Sequence, residues 1–209
     1  LIFVQRRHLK SAAQPSLVRL SRFAGDALAI MAPRTVIPID KNWQFKQVDK
    51  QGGDGYRAVS QFPTNVHLDL MHHNLIPDPF IGKNENDVQW VGEAQWAYKT
   101  TFASPEVSTG AKAILAFDGL DTFATVNLNG RVILETDSMF IPERVDVTAH
   151  LSHARDNELV ITFDSAYLRG CKRVEQHPKH VWSLWNGDSS RLAVRKAQYH
   201  WVCFQLEFM

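Results

Sequence analysis

Thr122-Phe123-Ala124-Thr125-Val126-Asn127-Leu128 runs directly into Asn129-Gly130, and Arg131-Val132-Ile133-Leu134-Glu135 follows. The first run is largely alternating, as a half-buried strand requires. Asn and Gly both tolerate the positive φ of a type I′ turn, so the pair predicts a tight antiparallel hairpin. No other stretch of the chain constrains the fold as strongly.

The neighbouring segments carry the same signature. Trp43–Val48 is close to period two, and Asn65–Leu70 alternates again. Thr35-Val36-Ile37-Pro38 is a short β-branched run. Trp96–Phe102, Ala111–Phe117, Arg144–Val147 and Glu158–Phe163 are further strand candidates. Gln51-Gly52-Gly53-Asp54-Gly55 and Asp118-Gly119-Leu120-Asp121 punctuate them as turns. Short strands separated by turn signals predict an all-β sandwich spanning 35–201. Pro77–Asp87 holds two prolines and a glycine, which argues for a long irregular stretch. Residues 164–195 are polar and weakly periodic, and predict long loops with one helical turn.

The first 34 residues stand apart. They start at Leu1, and up to Ile30 they carry Arg6, Arg7, Lys10, Arg19 and Arg22 against the single acid Asp26. This composition fits a mitochondrial transit peptide; it fits better a disordered or translated upstream extension before a start at Met31. The domain is therefore taken to begin after residue 34.

The net charge of +1 gives no global field toward nucleic acid or an acidic membrane. No apolar run reaches the roughly 20 residues that span a bilayer. Cys171 and Cys203 form no metal spacing and no disulfide framework, and read as free thiols of an intracellular, cytoplasmic chain. No Asn-x-Ser/Thr acceptor occurs.

Several chemistries fail on ligand count or motif. Asp118 and Asp121 flank a turn but fall short of a calcium site. His72, His73, His177 and His180 lack a complete zinc set; on a strand, His72 and His73 would face opposite ways. No phosphate loop and no Gly-x-Ser-x-Gly elbow is present. Retaining glycosidases need two carboxyl groups about 5–5.5 Å apart. Many hold them on a barrel of about 250 residues. The chain has 209 residues, most already read as a sandwich, so it lacks room for that barrel. No metal, cofactor or catalytic residue is assigned.

Pro77-Asp78-Pro79-Phe80, Gly82, Asn84-Glu85, Gln89-Trp90-Val91 and Trp96-Ala97-Tyr98 follow one another in a distinctive order. Phe117–Thr122, Leu128-Asn129-Gly130 and Arg195-Lys196-Ala197-Gln198-Tyr199-His200-Trp201 complete it. In these residues the chain resembles the β-mannosidases of glycoside hydrolase family two, of the fungal intracellular type. The resemblance implies a jelly-roll, galactose-binding-like N-terminal domain. It also implies a parent enzyme that removes terminal β-linked mannose with glutamates of a separate barrel. Arg195, Lys196, Gln198, Tyr199, His200 and Trp201 become candidates for a substrate-pocket wall. For Arg195 and Lys196 a solvated basic pair is the competing reading.

The resemblance stops after Trp201. The family continues Gly-Trp-Asp-Trp-Gly-Pro, whose aspartate reaches the sugar; here the tail is Val202–Met209. That tail reads as translated intron, with Val202-Cys203 spelling a donor site. Three functions then compete: an inactive fragment of a β-mannosidase, a free-standing carbohydrate-binding module using Trp182, Trp185 and Trp201, or an interaction domain.

Overall fold

A computed structural model of the chain describes residues 34–49, 55–180 and 188–197. Residues 34–39 fall in one unit and carry no regular structure, so the β-branched run at 35–38 forms no strand. Everything described from Asp40 onward belongs to a second unit, the sandwich.

Eight strands are described: β1 Gln44–Gln47, β2 Arg57–Ala58, β3 Trp96–Phe102, β4 Ile114–Phe117, β5 Ala124–Leu128, β6 Arg131–Thr136, β7 Glu143–Asp146 and β8 Asn157–Phe163. Six form one sheet in the order β2-β1-β3-β8-β5-β6, and β4 pairs with β7 in a second. Every pairing is antiparallel. The expected hairpin joins β5 to β6, with Asn129 at φ 54 and Gly130 at φ 82, as a type I′ turn demands.

Register explains the core. Phe45 pairs with Tyr98, Tyr98 with Ile161 and Ile161 with Val126, so one row of large side chains crosses four strands. All four are buried. A neighbouring row runs Trp96, Phe163, Ala124. Full burial of each large apolar side chain contributes about 1.5–3 kcal/mol, so rows of this kind dominate the stability of the sheet. Leu115, Phe117 and Val147 add buried apolar surface from the second sheet and the residue after it.

Three further expectations are corrected. Asn65–Leu70 is not a strand: Val66–His72 forms helix α1. The Asn65 side chain accepts from the Leu68 amide at 3.1 Å, capping the first turn. His67, Asp69 and Leu70 are the buried residues, while Leu68 is exposed, so burial at His67, Leu68 and Asp69 is the reverse of what strand alternation required. His72 and His73 therefore close a helix, and their rings meet edge-on at 5.0 Å. The stretch 77–87 ends in a short helix, α2 Asn84–Asp87, and α3 Trp90–Glu93 follows. The region after β8 holds α4, Ala166–Gln176, three turns where one was expected. Ser165 caps it by accepting from the Leu168 amide at 3.0 Å, and reaches back to the Gly92 carbonyl at 2.6 Å. No helix among the described residues is long and apolar enough to cross a membrane.

Candidate functional site

Arg195 and Lys196, the candidate wall residues that are described, sit at the end of a strap, residues 188–197, laid across three earlier pieces of structure. The strap begins with a 3-10 turn, Ser189–Ala193, capped by Asp188, whose side chain accepts from the Ser190 amide at 2.9 Å. Asp188 also bonds Tyr167 of α4, and that bond lifts the Tyr167 hydroxyl to about 12. The Ser190 amide, followed by Tyr167, holds the Asp188 carboxyl below its usual range.

Helix α4 receives the strap at Gly170. A Cβ on Gly170 would lie 2.1 Å from the Ser190 carbonyl oxygen, so glycine here allows backbone to meet backbone. One turn further on, Arg173 donates to the Ala193 carbonyl at 3.0 Å and to Asp137 at 3.3 Å. Its guanidinium lies 4.9 Å from the centre of the Phe123 ring, over which Arg169 also sits at 5.4 Å. Phe123, Ala166 and Val194 pack together beneath as a small buried cluster.

Beyond Val194 the strap meets two loops. Arg195 pairs with Ser138 in an isolated parallel bridge, and its carbonyl accepts from the Met139 amide at 3.0 Å. The Ala197 amide points at the Met139 sulfur, 2.8 Å away. The Lys196 ammonium bonds Asp121 at 3.0 Å, with side-chain exposures of only 9% and 5%. Asp121 is held in turn by the Thr122 hydroxyl. At the same turn a Cβ on Gly119 would come within 2.8 Å of the Met139 carbonyl oxygen. Asp118 faces outward instead, bonded to Arg144 at 2.9 Å.

The candidate residues thus part company. Arg195 is exposed, while Lys196 is half-buried with its side chain committed to Asp121. Gln198, Tyr199, His200 and Trp201 lie outside the described residues, as do Trp182, Trp185, Cys203 and the tail from Val202. The sequence marks Asp121 only as a turn former; nothing local in Asp-Gly-Leu-Asp announces a carboxylate with a side chain 5% exposed. Among the described residues no group of three or more His, Cys, Asp or Glu side chains could hold a metal ion.

A second polar centre is buried in the core. Asp69 is fully buried, and one carboxylate oxygen accepts from the Ser60 amide (2.7 Å), the Ser60 hydroxyl (2.8 Å) and the Thr64 hydroxyl (2.8 Å). Tyr98 donates to the other oxygen at 3.0 Å. Burial first, and then the Asp69 charge and hydrogen bond, push the Tyr98 hydroxyl well above its ordinary value. These bonds tie α1 and the loop before it to β3.

The antiparallel sandwich is a fold of the galactose-binding-like type. The chain belongs to the family described as glycosyl hydrolase 2 galactose-binding domain-like, whose model matches residues 43–203. It is 72% identical over 171 residues to β-mannosidase B of Thermothelomyces thermophilus, covering 82% of this chain and 20% of that protein. Against β-mannosidase B of Aspergillus clavatus the identity is 48% over the same share of each. The crystal structure of β-D-mannosidase from Dictyoglomus thermophilum matches with a TM-score of 0.63 and 38% identity, over 77% of this chain and 19% of that one. The chain spans about a fifth of the length of the relatives it matches.

Proposed function

We propose that this chain is the non-catalytic, N-terminal domain of a β-mannosidase and that, within the whole enzyme, it walls the pocket for a terminal β-linked mannose. The observation that carries this reading is the 72% identity to a β-mannosidase B across most of the sandwich. The chemistry then belongs to the remainder of such an enzyme, and this domain contributes shape and polar contacts. Arg195 is the described residue best suited to that wall: its guanidinium is exposed, while its backbone is fixed to the 138–139 loop. Gln198–Trp201 continue the same segment.

A graft tests the proposal. Residues of this chain up to Trp201 replace the matching segment of the T. thermophilus enzyme, and release of an aryl leaving group from a β-mannoside is followed. The graft is expected to turn over the substrate, and the isolated chain is expected not to. A soluble, folded graft without turnover refutes the reading, as does turnover by the isolated chain.

A further inference from the structure

We infer that Asp121 and Lys196 are a pair of positioning residues: their buried ion pair sets the register of the strap's last residues and thereby turns Arg195 outward. The effect on sugar binding rests on the β-mannosidase reading; the register lock itself does not.

The backbone alone specifies this register weakly. Arg195 and Ser138 make an isolated bridge, not a ladder, and the Met139 amide supplies one bond to the Arg195 carbonyl at 3.0 Å. Side chains alternate along an extended segment, so a slip by one residue exchanges the two faces. Here Val194 is buried, Arg195 exposed and Lys196 mostly buried. A slip would drive the Arg195 guanidinium inward and pull Lys196 away from Asp121.

An ion pair suits such a lock because it is so poorly suited to mere stabilisation. Desolvating two charges offsets most of their attraction, and apolar residues of similar volume hold a protein together as well or better. What an apolar pair lacks is a single required geometry. The Asp121–Lys196 pair has one: 3.0 Å, nearly sealed from water, with Asp121 itself fixed by the Thr122 hydroxyl. The two partners lie 75 residues apart, so the contact ties the strap to the turn after β4 and to no local neighbour.

The test uses the isotope-labelled chain carrying Asp121→Leu with Lys196→Met, and the near-isosteric Asp121→Asn with Lys196→Met should the first fail to fold. Amide exchange at Met139 reports the strap, and at Val126 the global fold. The lock predicts exchange at Met139 faster by about tenfold or more, with Val126 changed by less than about twofold. Unchanged exchange at Met139 overturns the proposal. Equal acceleration at both amides also overturns it, because the pair is then an ordinary stabilising contact. In the graft, the same double substitution is expected to raise KM by about fivefold or more with kcat within about twofold, a loss of binding geometry and not of chemistry. An unchanged KM removes the sugar-side consequence. An unmutated graft without activity sinks the β-mannosidase reading and leaves the exchange measurement to judge the lock.

Discussion

The Tyr98 hydroxyl donates to the Asp69 carboxylate across 3.0 Å inside the sandwich, joining the middle of β3 to a helix 29 residues earlier. Both residues are almost wholly buried, so water cannot replace either partner. Tyr98→Phe keeps the ring that sits 6.0 Å from Phe45 and 6.0 Å from Phe163, and removes only the donor. The expected cost is about 1.5–3 kcal/mol, as for a hydrogen bond to a charged group. Urea unfolding of the two proteins measures it; equal midpoints would show the bond to be energetically idle.

His67 sets a pH limit on the same helix. Burial depresses its pKa from 6.5 to about 4. The unfolded chain therefore takes up a proton that the folded chain refuses. Above pH 6.5 both forms are neutral at this site and stability is complete; as pH falls from 6.5 toward 4 it is progressively lost, by about 3 kcal/mol in full. His67→Gln is expected to flatten that part of the stability profile. A wild-type urea midpoint that is level from pH 6.5 to 4 contradicts the assignment.

Gly170→Ala separates helix propensity from packing. In an exposed helix interior the change gains about 1 kcal/mol. At Gly170 the new methyl would lie 2.1 Å from the Ser190 carbonyl, a backbone atom that cannot swing aside. Net destabilisation of about 1–3 kcal/mol is expected, typical of overpacking. A rise in Tm on calorimetry would mean that the strap yields freely.

The hairpin tip is more than a turn. The Asn129 amide donates to the His150 carbonyl at 2.9 Å and to Asn157 at 2.8 Å, and its oxygen accepts from the Glu158 amide at 3.0 Å. Asn157 cannot reverse its own amide, since its oxygen also accepts from the Ser152 amide while its nitrogen faces the Ser152 carbonyl. Asn129→Asp thus sets a carboxylate against two acceptors and is expected to cost more than Asn129→Gly, which keeps the φ of 54 and loses only the bonds. The difference, about 1–3 kcal/mol, is read from chemical denaturation; the opposite ranking refutes this network.

The strands were legible because their physics is local. Alternation in Thr122–Leu128, the strand-favouring runs Trp96–Phe102 and Glu158–Phe163, and the Asn129-Gly130 turn each specify their own geometry. Asn65–Leu70 shows where that fails. Its apolar residues alternate, yet a side-chain cap at Asn65 and the four bonds at Asp69 outweigh the pattern, and two polar residues go inside. Helix α4 was underread because its seat is made by Ser190 and by the Phe123–Val194 cluster, distant in sequence. At the candidate site, Arg195 and Lys196 look alike as neighbouring cations. What distinguishes them is an aspartate 75 residues away, which no local pattern announces.

The strap is fastened by Tyr167, Gly170 and Arg173, by Ser138 and Met139, and by Asp121, all of which precede it in the chain. During synthesis, which adds roughly 5–20 residues each second, every one of these fastening residues is made before the strap is. Residues 188–197 act as a latch that follows all of its fastenings in the chain. Vectorial synthesis thus makes the frame first and the latch, with its exposed Arg195 beside the nearly sealed Lys196, after it.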